Sequence, residues 1–275
     1  MSEAFALVTL GSGAKSLRCL VRGETFHPKI GPIKEASLLH VEQQRLLERG
    51  QENEKIILWD VGLGAAANAI AAIESLRGCI AEVEIHSFEQ SLSSLEFALR
   101  HKSAIPYLEK TSAQVEELLL HRHSQVTDKI SWHLHLGDFS EKMLDPQIPS
   151  PTNIFYDPYS PKTNPDMWTL PHFQKFRSRL DRDCLLTNYS RSTAVRGTLL
   201  LAGFYVGIGR EIGEKNETTI ASTSLSALER PLKKNWLERV KISGNAAPLR
   251  SAEYSLNAIS VEDLLALESH LQFRV

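Results

Sequence analysis

The chain has 275 residues, 42% of them hydrophobic and 23% charged, with a formal net charge of −2, the composition of a globular protein with one sizeable core. No apolar run approaches the ~20 residues that span a bilayer, and the first twenty residues lack the basic-then-apolar order of a secretory signal. The near-neutral balance excludes a broadly basic nucleic-acid binder, so any such contact must use a local patch.

Residues 5–10 (FALVTL) and 17–21 (LRCLV) read as two strands joined by a Gly/Ser-rich turn. Residues 34–49 carry Leu38, Leu39, Leu46 and Leu47 at roughly helical spacing. From residue 55 a regular alternation begins: KIILWDVG is a buried-strand run, and AAANAIAAIESLRG is a small-residue helix stopping at Gly78. The strand AEVEIHSFE, the helix SLSSLEFALRH, a second helix SAQVEELLLHRHSQV and the strand ISWHLHLGD follow. Next come the strand NIFYDP, a proline-rich loop, a helix through PDMWTLPHFQKFRSRL, the strand CLLTNY and the helix STAVRGTLLLAG. FYVGIG and ETTIAS are spaced as an antiparallel hairpin. Beyond residue 222, RPLKKNWLERVKISGNAAPLRS reads as irregular and basic, and SVEDLLALESHL as a short helix capped by Ser260. The pattern predicts an α/β chain with a doubly wound, mostly parallel Rossmann-like sheet and an antiparallel final strand. It divides into N-terminal strands and helix (1–50), a core (51–225) and a C-terminal tail (226–275). Cys19, Cys79 and Cys184 are odd in number and lack CxxC spacing, which reads as reduced thiols of a cytoplasmic protein.

The chemistry gathers at the strand ends. The first core strand ends in Asp60-Val61-Gly62-Leu63-Gly64, and the helix behind it carries Asn68. Open α/β sheets bind nucleotides at that position, with the helix N-terminus offering N–H groups. The glycines serve either a ligand or a tight turn. Ala65, Ala66 and Ala67 stand where a dinucleotide site prefers a further glycine. The second strand ends at Glu89, placed to accept from ribose hydroxyls or to cap the next helix. The third ends at Asp138-Phe139, which suits an adenine amine and ring, or a plain N-cap. The fourth ends at Asp157. Four carboxylates (Asp60, Glu89, Asp138, Asp157) at one sheet edge suit a cation that also carries ribose and adenine. S-adenosylmethionine (SAM), a sulfonium, meets that description better than an anionic dinucleotide.

The segments DPYSPKTNPDMWTLPHFQKF and TNYSRSTAVRGTLLLAGFYVGIGREIGEKNE resemble the methyltransferase module of the tRNA wobble-uridine modification family. That family's loop pattern is matched by Asp157, Tyr159, Pro161, Lys162, Asn164, Pro165, Met167 and Trp168. Its later elements are matched by Val195-Arg196, Ala202-Gly203-Phe204 and Gly213-Glu214-Lys215-Asn216-Glu217. The resemblance implies a stand-alone SAM-dependent methyltransferase without the flavin-dependent oxidase that some members carry. Its substrate would be the aminomethyl group of 5-aminomethyl-(2-thio)uridine in the anticodon loop of tRNA. The chain departs from the family's cofactor loop in having Ala66 where a glycine is usual. GETFHPKIGPIKEASLLHVEQQRL resembles the segment before that loop in stand-alone members, where Glu24 reaches toward the site.

On this reading Asp60, Gly62, Gly64, Asn68, Glu89, Asp138, Phe139 and Asp157 bind the cofactor, and Asp157 is also catalytic, accepting a hydrogen bond from the attacking amine. Prolines 158, 161 and 165 stiffen the loop around it. Tyr159, Lys162, Trp168, Arg196 and Lys215 contact the substrate, with Lys162, Arg191, Arg196 and Lys215 toward phosphate. Trp168 equally suits packing against the sheet, and each basic residue equally suits a solvated surface. His133 and His135 share a strand face, but no further ligands stand at supporting positions, so no metal is expected. Two other readings remain: an amine-group transferase acting on a small polyamine, and a non-catalytic tRNA-binding scaffold of the same fold.

Overall fold

The computed structural model describes residues 4–27, 29–213 and 216–274. Three short N-terminal strands, β1 (Phe5–Thr9), β2 (Lys15–Cys19) and β3 (Glu24–Thr25), form one antiparallel sheet. The remaining eight are β4 (Lys55–Val61), β5 (Glu82–Glu89), β6 (His123–Gln125), β7 (Ile130–Leu136), β8 (Asn153–Tyr156), β9 (Leu185–Asn188), β10 (Tyr205–Gly209) and β11 (Thr218–Ser222). They make a second sheet in the order β10-β11-β9-β8-β4-β5-β7-β6. Strands β9, β8, β4, β5 and β7 run parallel. β11 runs antiparallel between β9 and β10, so the mostly parallel sheet and antiparallel final strand are as expected. The opposite edge also ends antiparallel. Arg122 takes a left-handed φ of 60°, turning residues read as the end of a helix into β6.

Helices α1 (Pro32–Ala36), α2 (Leu46–Glu52), α3 (Ala67–Leu76), α4 (Ser93–Arg100), α5 (Pro106–Lys110) and α6 (Ser112–His121) precede β6. They are followed by α7 (Phe139–Lys142), α8 (Leu170–Ser178), α9 (Thr193–Leu201), α10 (Trp236–Ile242) and α11 (Val261–Glu268). β4 is buried on both sides, as a central parallel strand should be. Ile57, Trp59 and Val61 enter an aromatic layer with α8 and α9. Ile56 and Leu58 enter an alanine-rich layer with α3, whose small side chains allow close approach to the sheet.

The helix expected over 34–49 is interrupted. A π-helical turn over Ser37–Glu42 and a left-handed Arg45 (φ 51°) separate α1 from α2. The turn brings polar side chains under the sheet: His40 Nδ1 meets Thr187 Oγ1 at 2.7 Å, and its ring stacks on Phe155 at 4.5 Å. Gln44 donates to the Ile154 carbonyl at 2.8 Å. At the other terminus, Trp236, Leu237 and Val240 of α10, read as irregular from sequence, join the aromatic layer together with Leu267 and Phe273. Ser260 caps α11 as its position suggests, accepting from the Asp263 N–H.

Candidate active site

A cavity of about 890 Å³ opens at the carboxyl ends of β4, β5, β7 and β8, and the β1–β3 sheet roofs it. Its floor is the turn after β4. Gly62 (φ 94°) and Gly64 (φ 55°) occupy conformations that favour glycine. A methyl at Gly62 would lie 2.6 Å from the Asp157 carbonyl oxygen, so the turn and the end of β8 pass each other at backbone distance. The Gly62 and Leu63 N–H groups both donate to the Phe88 carbonyl, at 3.1 and 3.3 Å, and that of Ala66 donates to the Leu63 carbonyl at 2.7 Å. The Gly64 N–H donates to Glu89 Oε2 at 3.0 Å. These four donors of the turn itself are taken up within the protein, ahead of the N-terminus of α3.

Glu89 ends β5 and lines the cavity. Burial raises its pKa, opposed by the N–H groups of Gly64, Ser91 and Gln90 and by the charge of Arg22. Asp138 caps α7, accepting from the Ser140 N–H at 2.7 Å, so the N-cap reading holds, and the same residue borders the cavity. Phe139 lines it from the aromatic layer, 5.0 Å from Phe88.

Asp157 follows β8. Its N–H donates to the Val61 carbonyl at 3.0 Å, and its Oδ2 accepts from Asn68 Nδ2 at 2.9 Å. Asn68 lines the cavity, and its amide holds the Asp157 carboxylate. The loop beyond is fixed from inside by the Tyr189 hydroxyl, which donates to the Pro158 carbonyl at 3.2 Å, and by Trp168 Nε1, which donates to the Tyr159 carbonyl at 2.9 Å. Tyr159 lines the cavity. Its ring meets Phe26 edge-on at 5.7 Å, and the Arg22 guanidinium lies 4.7 Å from its centroid.

Several expectations change. Asp60 is fully buried and does not line the cavity, so three of the four strand-end acids converge there, not four. Its side chain points the other way along the alternating strand, where Ser87 Oγ donates to it at 2.8 Å. Burial, with Asp157 and Glu89 nearby, pushes its carboxyl up to about 7. Trp168 is 1% exposed and serves the loop rather than a ligand. Arg196 is also 1% exposed; it donates to Glu217 at 3.1 Å, the Thr218 carbonyl at 2.7 Å and Thr219 at 3.0 Å, which places it in the core and away from phosphate. Lys162 is exposed and outside the cavity lining, Arg191 is exposed, and Lys215 lies outside the described residues. Among the described residues no group of three or more His, Cys, Asp or Glu side chains is arranged to hold a metal. Motif reading missed Arg22, Phe26, Glu35 and Tyr189, which line the cavity. Tyr189 directly follows β9, so the strand-end rule that found the acids could have found it too.

Residues 104–224 match a family model described as S-adenosyl-L-methionine-dependent methyltransferase. The crystal structure of MnmC2 from Aquifex aeolicus superposes with a TM-score of 0.74 at 29% identity, covering 97% of this chain and 86% of that one. Over residues 104–224 the chain carries the sequence of an S-adenosyl-L-methionine-dependent methyltransferase. The methyltransferase is also 24% identical over 225 residues to an uncharacterised protein of Methanocaldococcus jannaschii, covering 80% of this chain and 60% of that protein. It is 31% identical over 139 residues to the tRNA 5-methylaminomethyl-2-thiouridine biosynthesis bifunctional protein MnmC of Ralstonia nicotianae, covering 50% of this chain and 19% of that protein. The methyltransferase thus spans less than two thirds of the length of these curated relatives.

The donor set of its cavity suits SAM. Glu35, Glu89, Asp138, Asp157 and Asp166 all line the space, which favours a cation and opposes a pyrophosphate. Bound there, SAM supplies a methyl group activated on a cationic sulfur. Among the described residues no helix is long and apolar enough to cross a membrane.

Proposed function

We propose that this methyltransferase methylates the aminomethyl nitrogen of 5-aminomethyl-(2-thio)uridine at the wobble position of tRNA, in the cytoplasm. The observation that carries the reading is Asp157, a carboxylate held by Asn68 where the glycine turn and the proline-stiffened loop touch. Glu89 would hold the cofactor's ribose hydroxyls, Asp138 its adenine amine and Phe139 its ring, all three lining the cavity. Asp157 accepts a hydrogen bond from the substrate amine, which turns the nitrogen lone pair toward the methyl donor. As the new N–C bond forms, the methyl–sulfur bond would break with its electron pair going to sulfur, leaving a neutral thioether; the nitrogen sheds a proton, and Asp157 takes it directly or through water. Pre-orientation by this rigid carboxylate is the main contribution, since well-aligned reactants gain up to ~7–11 kcal/mol.

A wobble base is unpaired in the anticodon loop, so turning it out of the stack costs little. Tyr159 lines its path, and the exposed Lys162 and Arg191 meet phosphate. The acidic lining also favours a second reading, a small oligoamine as methyl acceptor. Labelled SAM incubated with undermodified tRNA or with free polyamines, followed by nucleoside and product analysis, separates the two. The proposal expects label in the wobble nucleoside and a steep loss of tRNA affinity with added salt. Label confined to free amines, with a flat salt response, overturns it.

A further inference from the structure

Glu24 and Arg22 flank a turn of the N-terminal sheet and reach the loop after β8 from outside, opposite the anchors Tyr189 and Trp168. The Glu24 carboxylate accepts from the Ser160 N–H at 3.4 Å and from the hydroxyls of Ser160 and Thr163. The two hydroxyl oxygens lie 3.2 Å apart, so three donors from one turn converge on one acid. Arg22 Nη1 donates to the Thr163 carbonyl at 3.1 Å while its guanidinium covers the Tyr159 ring. Segment 158–164 belongs to neither a helix nor a strand. Its internal backbone hydrogen bonds are two, from the Thr163 and Asn164 N–H groups to the Ser160 carbonyl.

The same sheet also covers the cofactor turn. Phe26, next to β3, packs so closely on Gly64 that a methyl there would lie 3.2 Å from its ring. One short stretch, Glu24 to Phe26, therefore touches both loops that meet at Asp157. We propose that Glu24 is a positioning residue for methyl transfer. It clamps the Ser160–Thr163 turn and so sets the placement of Tyr159 and Asp157 against the cofactor loop, without touching the reacting atoms. The clamp joins residues 136 and 139 positions apart, so the N-terminal sheet is a working part of the site. The proposal rests on methyl transfer at Asp157, whichever amine is the acceptor.

The test compares Glu24→Ala, Glu24→Gln and Ser160→Ala/Thr163→Ala, with the triple variant Glu24→Ala/Ser160→Ala/Thr163→Ala. Four quantities are read: single-turnover methyl transfer, SAM affinity by calorimetry, thermal midpoint, and amide exchange over residues 158–165. A displacement of about 1 Å costs on the order of 100-fold in rate. Glu24→Ala is therefore expected to slow transfer about 10- to 100-fold, with SAM affinity within about threefold. Amide exchange in the loop should speed up at least about tenfold, while core amides and the thermal midpoint stay unchanged. Glu24→Gln, which keeps an acceptor oxygen, should recover most of the rate. Combining Glu24→Ala with the loop substitutions should add no further loss, because groups acting through one contact are non-additive. Unchanged loop exchange in Glu24→Ala overturns the clamp whatever the substrate proves to be. A fully additive triple variant, or a rate loss matched by lost SAM affinity, overturns the positioning role.

Discussion

Gly62→Ala tests how closely the turn after β4 and the loop after β8 are interlocked. Two costs arise, and the structure separates them. The φ of 94° strains any L side chain by about 1–2 kcal/mol. The added methyl would also sit 2.6 Å from the Asp157 carbonyl oxygen and 3.0 Å from its carbon, where ordinary contact begins at 3.4 Å. Both atoms are backbone, so relief needs about 0.8 Å of movement by the turn or by Asp157. Displacements of that order cost about 10- to 100-fold in rate when geometry dominates. Gly78→Ala supplies the control: its φ is 79° and nothing lies within 4 Å of the added methyl. Single-turnover transfer at saturating SAM, measured well below both thermal midpoints, is the assay. Gly78→Ala should lower the midpoint by roughly 3–6 °C and leave the rate alone. Gly62→Ala should lower it further and slow transfer at least about tenfold. A Gly62→Ala enzyme within twofold of the wild-type rate would refute the interlock.

Replacing Glu89 by alanine removes a charged acceptor for the ribose and the partner of the Gly64 N–H; calorimetry should find SAM affinity reduced about 10- to 100-fold, and an unchanged affinity removes Glu89 from the cofactor site. Asp60 has a folded pKa of about 7 against 3.8, so its contribution is fully present below 3.8 and is lost as pH rises through 7. Unfolding measurements should therefore find Asp60→Asn gaining on the wild type between pH 4 and 9, by up to about 4 kcal/mol, and a pH-independent difference contradicts the buried acid. On the far edge of the sheet, His86 stacks on His133 at 4.8 Å and on His135 at 5.2 Å, and His123 lies 4.8 Å from His133. Burial holds His86 down to about 3 and His135 to about 4, with Glu84, Lys55, Asp145 and Lys142 around them. The unfolded chain takes up these protons first, so stability should fall as pH drops from 6.5 toward 4. Phenylalanine at His86 should flatten that fall, which denaturant titrations across the range would show.

The sequence made the core legible wherever local pattern and burial agree. KIILWDV is apolar on both faces because β4 is the central strand, and Gly78 ends α3 in a left-handed turn. The proline loop announced Asp157 because a stiff polar segment straight after a buried strand has few other uses. Asp60 was misplaced for a definite reason. Strand side chains alternate, and the last residues before a turn can face either side; register with Ser87, a non-local fact, decides it. Arg196 looked like a surface cation because its partners Glu217, Thr218 and Thr219 lie about twenty residues on, in a strand whose pairing no local pattern reveals. The roof over the cavity was the least visible part. Arg22, Glu24 and Phe26 reach loops far along the chain, and short polar strands carry no motif that says so.

The central claim is that Asp157 aims the amine, and single-turnover methyl transfer by Asp157→Ala at saturating SAM tests it most directly. The account predicts SAM affinity within a few-fold of wild type and a transfer rate lower by about 10²–10⁴. A variant that binds SAM and transfers methyl at the wild-type rate would contradict it.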